Sequence, residues 1–229
     1  DLAILVVGEN SMRYHWNEKT CGENSDRYEL SLPGRQQELV EAVAATGVPT
    51  VVILVNGRPL TTEWIDENMP CIIEAWEPGV AGGQALAEIL YGKVNPSGKL
   101  PITIPRSTGQ IQCMYNHKFT NHWFPYATGN SLPLYEFGYG LSYTTYKYEN
   151  LKLSEATTTP DKSVKVTVDV TNTGKMDGEE TVQLYIRDEY SSATRPVKEL
   201  KDFARIPLKA GETKEVSFTL TPEMLSYYD

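Results

Sequence analysis

The 229-residue sequence has few cysteines, few histidines and no long apolar run. Cys21, Cys71 and Cys113 are its three cysteines, odd in number and far apart, so they cannot form the paired framework of a small disulfide-stapled domain. At most they allow one bridge and one free thiol. Cys71 opens an apolar stretch and is expected as a buried thiol. His15, His117 and His122 have no cysteine at a ligand spacing, which favours structural or surface roles, and neither a metal nor a cofactor is expected. Basic residues are outnumbered, 21 Lys and Arg against 30 Asp and Glu, giving a net charge of −9. A chain so acidic lacks the basic face that phosphate backbones require, so nucleic acid is excluded as a partner. No apolar stretch approaches the roughly 20 residues of a membrane helix, so no membrane span is expected. None of the flanks suggests a signal peptide, and the sequence contains no N-x-Ser/Thr acceptor.

What is present divides into two kinds of periodicity. The first half alternates short apolar runs with helical patterns, the mark of parallel α/β layering. Leu2 to Val7 reads as a strand buried on both faces, Thr50 to Val55 as a second and Pro70 to Trp76 as a third. Helices are expected over Arg35–Thr46, closed by Gly47, and over Gly83–Tyr91, and a shorter strand over Leu100–Ile104. From Ser107 to Tyr146 periodicity gives way to a crowd of aromatics, Tyr115, Phe119, Trp123 and Tyr135 among them. These read as plugs that pin a long connector to the first domain. After Tyr146 the period becomes two, with Val164, Val166, Val168 and Val170 alternating with polar residues. Strands near 148–153, 164–172, 181–187, 197–206 and 214–220 argue for an antiparallel sandwich of immunoglobulin type.

The expected class is therefore α/β: a partial layered α/β sandwich over 1–146, with the connector from about 107, followed by an antiparallel β-sandwich over 147–229. Three or four parallel strands and five antiparallel ones are fewer than such layers usually hold, and Asp1 runs straight into an apolar strand without an initiator Met. The expectation is a chain truncated at both ends.

Several familiar motifs fail. Gly98-Lys99 is followed by Leu100 where a nucleotide loop needs Ser or Thr, and Gly92 is one residue too distant. Gly79-Val80-Ala81-Gly82-Gly83 lacks the dinucleotide spacing, and no nucleophile elbow supports a Ser-His-Asp site. The connector from Gly8 to Gly34 is different, because it runs roughly 26 residues where such loops take two to six. It would lie outside the carboxyl end of the first strand, where open α/β sheets bind ligands. Glu9, Glu18, Glu23, Asp26, Arg13 and Arg27 occur there among Tyr14, Trp16 and Tyr28. Carboxylates beside aromatic platforms suit sugar chemistry, although a solvated acidic loop has the same composition.

At this point the residues resemble a known family. Cys21-Gly22-Glu23-Asn24-Ser25-Asp26-Arg27 with Leu30-Ser31-Leu32-Pro33-Gly34 is similar to the acid/base loop of family 3 glycoside hydrolases. Asn56-Gly57-Arg58-Pro59-Leu60, Ala75-Trp76-Glu77-Pro78-Gly79 and Asn95-Pro96-Ser97-Gly98-Lys99-Leu100-Pro101 also resemble it, as do Pro105-Arg106-Ser107 and Gly109-Gln110. So do the stretch from Leu134 to Thr144 and Arg195-Pro196-Val197-Lys198-Glu199-Leu200-Lys201. The resemblance implies a retaining exo-acting hydrolase of β-glucosidase or β-xylosidase type, built as a barrel, an α/β sandwich and a fibronectin type III-like domain. This chain would hold the last two parts, and the N-terminal barrel, missing here, would carry the nucleophilic aspartate.

Carried over residue by residue, the resemblance makes Glu23 the general acid/base. Glu9, which also follows a Gly at a strand end, is the alternative acid/base and a candidate substrate-binding residue. Tyr14 and Trp16 become walls for the leaving-group sugar. The expected ligand is an oligosaccharide or glycoside, and a periplasmic or secreted location follows from the family's habit of export. By itself the fragment is expected to be inactive, because double displacement needs two carboxylates. A non-catalytic carbohydrate-binding or structural module is the competing reading.

Overall fold

A computed structural model describes residues 1–11, 18–110, 112–119 and 126–228. The chain divides into two compact units, one built mainly from Asp1–Ala87 and the other mainly from Gly138 onward.

In the first unit, β1 (Ala3–Gly8), β2 (Thr50–Val55) and β3 (Cys71–Glu74) form a parallel sheet in the order β1-β2-β3. The register pairs Ala3 with Thr50 and Val51 with Cys71. Central β2 is buried from Thr50 to Leu54, as its unbroken run of β-branched residues and Leu54 demands. Helices α1 (Gln36–Ala44) and α2 (Glu63–Asn68) complete a core of Val7, Leu32, Val40, Val52, Leu54, Leu60 and Ile65. Helix α3 (Gly82–Leu90) follows β3.

Several sequence expectations need correction. β1 is not buried on both faces: Leu2, Ile4 and Val6 are 58%, 48% and 62% exposed. Side chains alternate along a strand, and only the face carrying Leu5 and Val7 meets the core. Cys71 is exposed rather than buried, because it starts the short β3 strand at the sheet edge. Residues 100–104 form no strand. Pro101 has no N–H for a ladder, and Ile104 makes only an isolated bridge to Tyr135. Helix α2 went unpredicted, since six residues are too few to display a period.

The second unit holds five antiparallel strands: β4 (Tyr146–Leu153), β5 (Val164–Asn172), β6 (Gly178–Ile186), β7 (Glu199–Leu208) and β8 (Thr213–Leu220). They pair as β4-β5-β8 and β6-β7. Val170, Val216 and Phe218 of the first sheet meet Val182 and Leu208 of the second in one core, which makes a sandwich. A one-turn helix, α4 (Pro222–Leu225), follows β8. Fully buried Asn172 ties the β5–β6 turn to the sandwich. Its amide donates to the carbonyls of Met176 and Leu208, and its Oδ1 accepts from Thr144 Oγ1 and Gly174 N.

The aromatic connector does not plug a single domain. Tyr135 donates to Asp66 in the first unit. Tyr115 instead packs edge-on against Tyr185 in the second, with ring centres 6.1 Å apart. Trp123 lies outside the described residues. Arg106 and Gln110 fold their part of the connector back on itself, donating to the carbonyl of Leu132, and Arg106 also pairs with Glu63 at 2.8 Å. In the second unit, Asn95 Oδ1 accepts from Ser142 Oγ and Tyr143 N, and Lys99 Nζ reaches the Gly140 carbonyl at 2.8 Å. No helix among the described residues is long and apolar enough to cross a membrane.

Candidate functional site

The carboxyl ends of β1, β2 and β3 each deliver polar side chains, in the position where parallel sheets bind ligands. Gln36, the first residue of α1, clamps the end of β1. It accepts from Gly8 N at 2.7 Å and donates to Gly8 O at 2.8 Å. Gly8 itself is required, since a Cβ built there would lie 1.8 Å from the Val55 carbonyl oxygen.

The chain leaves the sheet at Glu9, whose N–H donates to Val55 O at 2.8 Å. The Glu9 side chain is 0% exposed. Its Oε1 lies 3.2 Å from Arg58 Nε and 3.4 Å from Arg27 Nη1, and its Oε2 accepts from Gly57 N at 3.3 Å. Both oxygens are thus occupied.

Arg58 organises the long loop. Its Nη1 meets Asp26 Oδ1 at 2.9 Å, and its Nη2 donates to the carbonyls of Ser25 at 2.8 Å and Thr20 at 3.3 Å. One planar fork, projecting from the connection after β2, therefore gathers three points of the 20–26 segment and Glu9 together. The base of the loop closes where Thr20 N donates to Asn10 O and Asn10 N donates to Thr20 Oγ1, each at 2.8 Å.

Glu23 lies in a tight turn within this frame. Ser25 N donates to Gly22 O at 3.1 Å, and Asn24 takes a φ of 59° at the third position, as a type II turn requires. The Lys19 ammonium donates to the Glu23 carbonyl oxygen. Glu23 is exposed, and no described residue hydrogen-bonds or ion-pairs with its carboxylate. The loop thus brings Glu23 and Glu9 onto one structural frame while giving them opposite environments. Tyr14, Trp16 and Arg13 lie outside the described residues.

The end of β3 adds a second carboxylate group that sequence reasoning missed. Glu74 accepts from Trp76 N at 3.0 Å and from Asn56 Nδ2 at 3.5 Å. Burial pushes the Glu74 carboxyl up to about 7, against the opposing pull of those hydrogen bonds. Asn56 is buried and also donates to Arg58 O at 2.7 Å, while Trp76 sits at a φ of 51° with its carbonyl accepting from Asn56 N. Cys21 is buried with Sγ 3.7 Å from Glu77 Oε1, and burial, followed by the Glu9 and Glu77 charges, pushes its thiol up. The role of Arg58 had a signal, since Asn56-Gly57-Arg58-Pro59-Leu60 stands out as a motif, but its spacing does not reveal what the guanidinium holds.

The family model described as glycosyl hydrolase family 3 C-terminal domain matches residues 1–143, and that of the fibronectin type III-like domain matches 180–229. A β-xylosidase of Formosa agariphila is 46% identical over 223 residues, covering 96% of this chain and 30% of that protein. A periplasmic β-glucosidase of Salmonella typhimurium is 43% identical over 242 residues, covering 100% of this chain and 30% of that protein. Among solved structures, a β-glucosidase from Erythrobacter marinus superposes with a TM-score of 0.93 at 41% identity, over 100% of this chain and 30% of that one. A Listeria innocua β-glucosidase in complex with glucose gives 0.92 at 35% identity, over 100% and 32%. The chain thus spans about 30% of the length of the curated relatives it matches.

Proposed function

The chain belongs to glycoside hydrolase family 3, and on that premise we propose that it is part of a retaining, exo-acting glycosidase of β-glucosidase or β-xylosidase type and that Glu23 is the general acid/base. The observation that carries this reading is the contrast between two glutamates of one loop. A group that protonates a glycosidic oxygen and later takes a proton from water must reach substrate. Glu23 presents an exposed carboxylate on a braced turn, whereas Glu9 is enclosed with both oxygens occupied. The geometry supports Glu9 as the positioning residue that holds Arg27 and Arg58, and thereby the loop carrying Glu23. Tyr14 and Trp16, in the same loop, are proposed walls for the leaving-group sugar.

In this reading the nucleophilic carboxylate comes from an N-terminal barrel, and the 229-residue chain alone does not turn over glycosides. The matching proteins' greater length supports a further domain. A periplasmic or secreted location is supported by the relative named as periplasmic. The test is to measure Glu23→Ala in the full-length protein with an activated aryl glycoside and an unactivated disaccharide. A loss in kcat/KM on the order of 10²–10⁴-fold confined to the unactivated substrate fits a missing general acid, while the activated one loses in kcat as its glycosyl-enzyme waits for a base. Equal loss of kcat/KM on both substrates would refute the assignment.

A further inference from the structure

The connection between β6 and β7, running from Arg187 to Lys198, takes roughly a dozen residues where hairpin loops usually take two to five. It does not hang free. The Arg195 guanidinium lies 4.2 Å over the Tyr227 ring, donates to Glu199 at 2.7 Å and sits 3.8 Å from Asp188. Ser191 Oγ donates to the Tyr227 hydroxyl at 2.7 Å, with Ser192 Oγ 2.9 Å from the same oxygen. Val197 N donates to His117 O at 3.0 Å. So many polar anchors hold the loop in one shape, and that shape outlines a half-open, solvent-facing cavity of about 350 Å³. This volume is within the range of small-ligand pockets, at its lower end.

The cavity wall holds unused binding capacity. Arg187 lies 5.7 Å over the half-exposed Phe119 ring, and none of its N–H groups donates to a described residue. The Glu189 carboxylate and the Thr194 hydroxyl, also in the wall, are equally without partners among the described residues. The charges balance: the wall holds Arg187 and Arg195 against Asp188 and Glu189, and Glu199, which also takes Arg195, is shared with Lys201. No surplus positive charge is left to draw an anion. A fork of donors, a carboxylate acceptor and a hydroxyl beside an aromatic edge match a polyol, each of whose hydroxyls both donates and accepts.

We propose that this cavity of the antiparallel unit binds a neutral saccharide, with Arg187, Glu189 and Thr194 pairing with its hydroxyls and Phe119 meeting its C–H face. The proposal needs no hydrolysis and so does not depend on the role of Glu23. The test is an NMR titration of the 229-residue chain with neutral cello- and xylo-oligosaccharides and, separately, with a uronic-acid-bearing oligosaccharide. Saturable shifts at residues 187–197 are expected with the neutral sugars. Arg187→Ala should weaken binding about tenfold, as the loss of a charged hydrogen-bond donor does. Thr194→Val should weaken it less, and both exposed substitutions should leave the melting temperature unchanged. Absence of saturable shifts, binding insensitive to both variants, or a salt-dependent preference for the uronate would each overturn the proposal.

Discussion

Glu9 Oε1 and Arg58 Nε lie 3.2 Å apart, the carboxylate wholly enclosed, and this pair joins the end of the first strand to the loop after the second. Arg58 is the only described side chain that reaches Glu9, Asp26, Ser25 and Thr20 together. Arg58→Lys replaces a planar fork by a point charge and cannot satisfy all four. The buried groups left without a partner should destabilise the chain by about 1–3 kcal/mol. Amide hydrogen exchange is the sharper readout. Exchange at Cys21 and Ser25 should accelerate in Arg58→Lys, while the second unit's core amides keep their protection. Unchanged exchange in the 20–26 segment would show that Arg58 does not brace it.

Glu74 makes a pH-dependent prediction whose sign can be worked out. Its carboxyl rises from 4.5 to about 7 on folding because burial disfavours the charged form. The folded state therefore binds the proton more tightly than the unfolded state, and stability falls as pH rises between those values. Above about 7 the penalty is complete, on the order of 3 kcal/mol. Glu74→Gln removes it. Urea midpoints should place the variant below or level with the parent at pH 5 and clearly above it at pH 8. A parent-to-variant difference constant across that range would contradict the buried setting of Glu74.

The Asn172 side chain has four hydrogen-bond partners and no exposed surface, so its removal strands buried groups rather than solvated ones. Asn172→Ala should cost about 3 kcal/mol, because the Leu208 carbonyl and Thr144 hydroxyl lose their partner where water does not enter. Urea unfolding followed by signals of the second unit measures it. A loss under about 0.5 kcal/mol, the size of an ordinary surface change, would contradict the described network.

The legible parts of the fold were those with a period or an unbroken apolar run. β2 is such a run, β-branched but for Leu54, and its expected bounds, Thr50–Val55, match the observed ones. Alternating Val164, Val166 and Val170 announced β5 just as plainly. Exposure on β1 was not legible, because an apolar run reads the same whether one face or both are covered. The Leu100–Ile104 stretch misled because its apolar residues conceal the consequence of Pro101. At the candidate site, motif resemblance put Glu23 first as acid/base and left Glu9 as the alternative, with no physical ground to separate them. Their separation lies in long-range partners: Arg58 is 49 positions from Glu9, and Gly57 is 48. Glu74 stayed hidden for the same reason, since only folding buries it beside Asn56, 18 positions away.

The central claim, that Glu23 rather than Glu9 exchanges the proton, is tested most directly by azide rescue in the full-length protein. Without its general base, a glycosyl-enzyme waits on water, but azide needs no deprotonation and can take the vacated space. With an activated aryl glycoside, azide should accelerate Glu23→Ala and yield the β-glycosyl azide, and it should leave Glu9→Ala unaffected. If azide fails to accelerate Glu23→Ala, or if the β-azide forms with Glu9→Ala instead, the assignment of Glu23 is wrong.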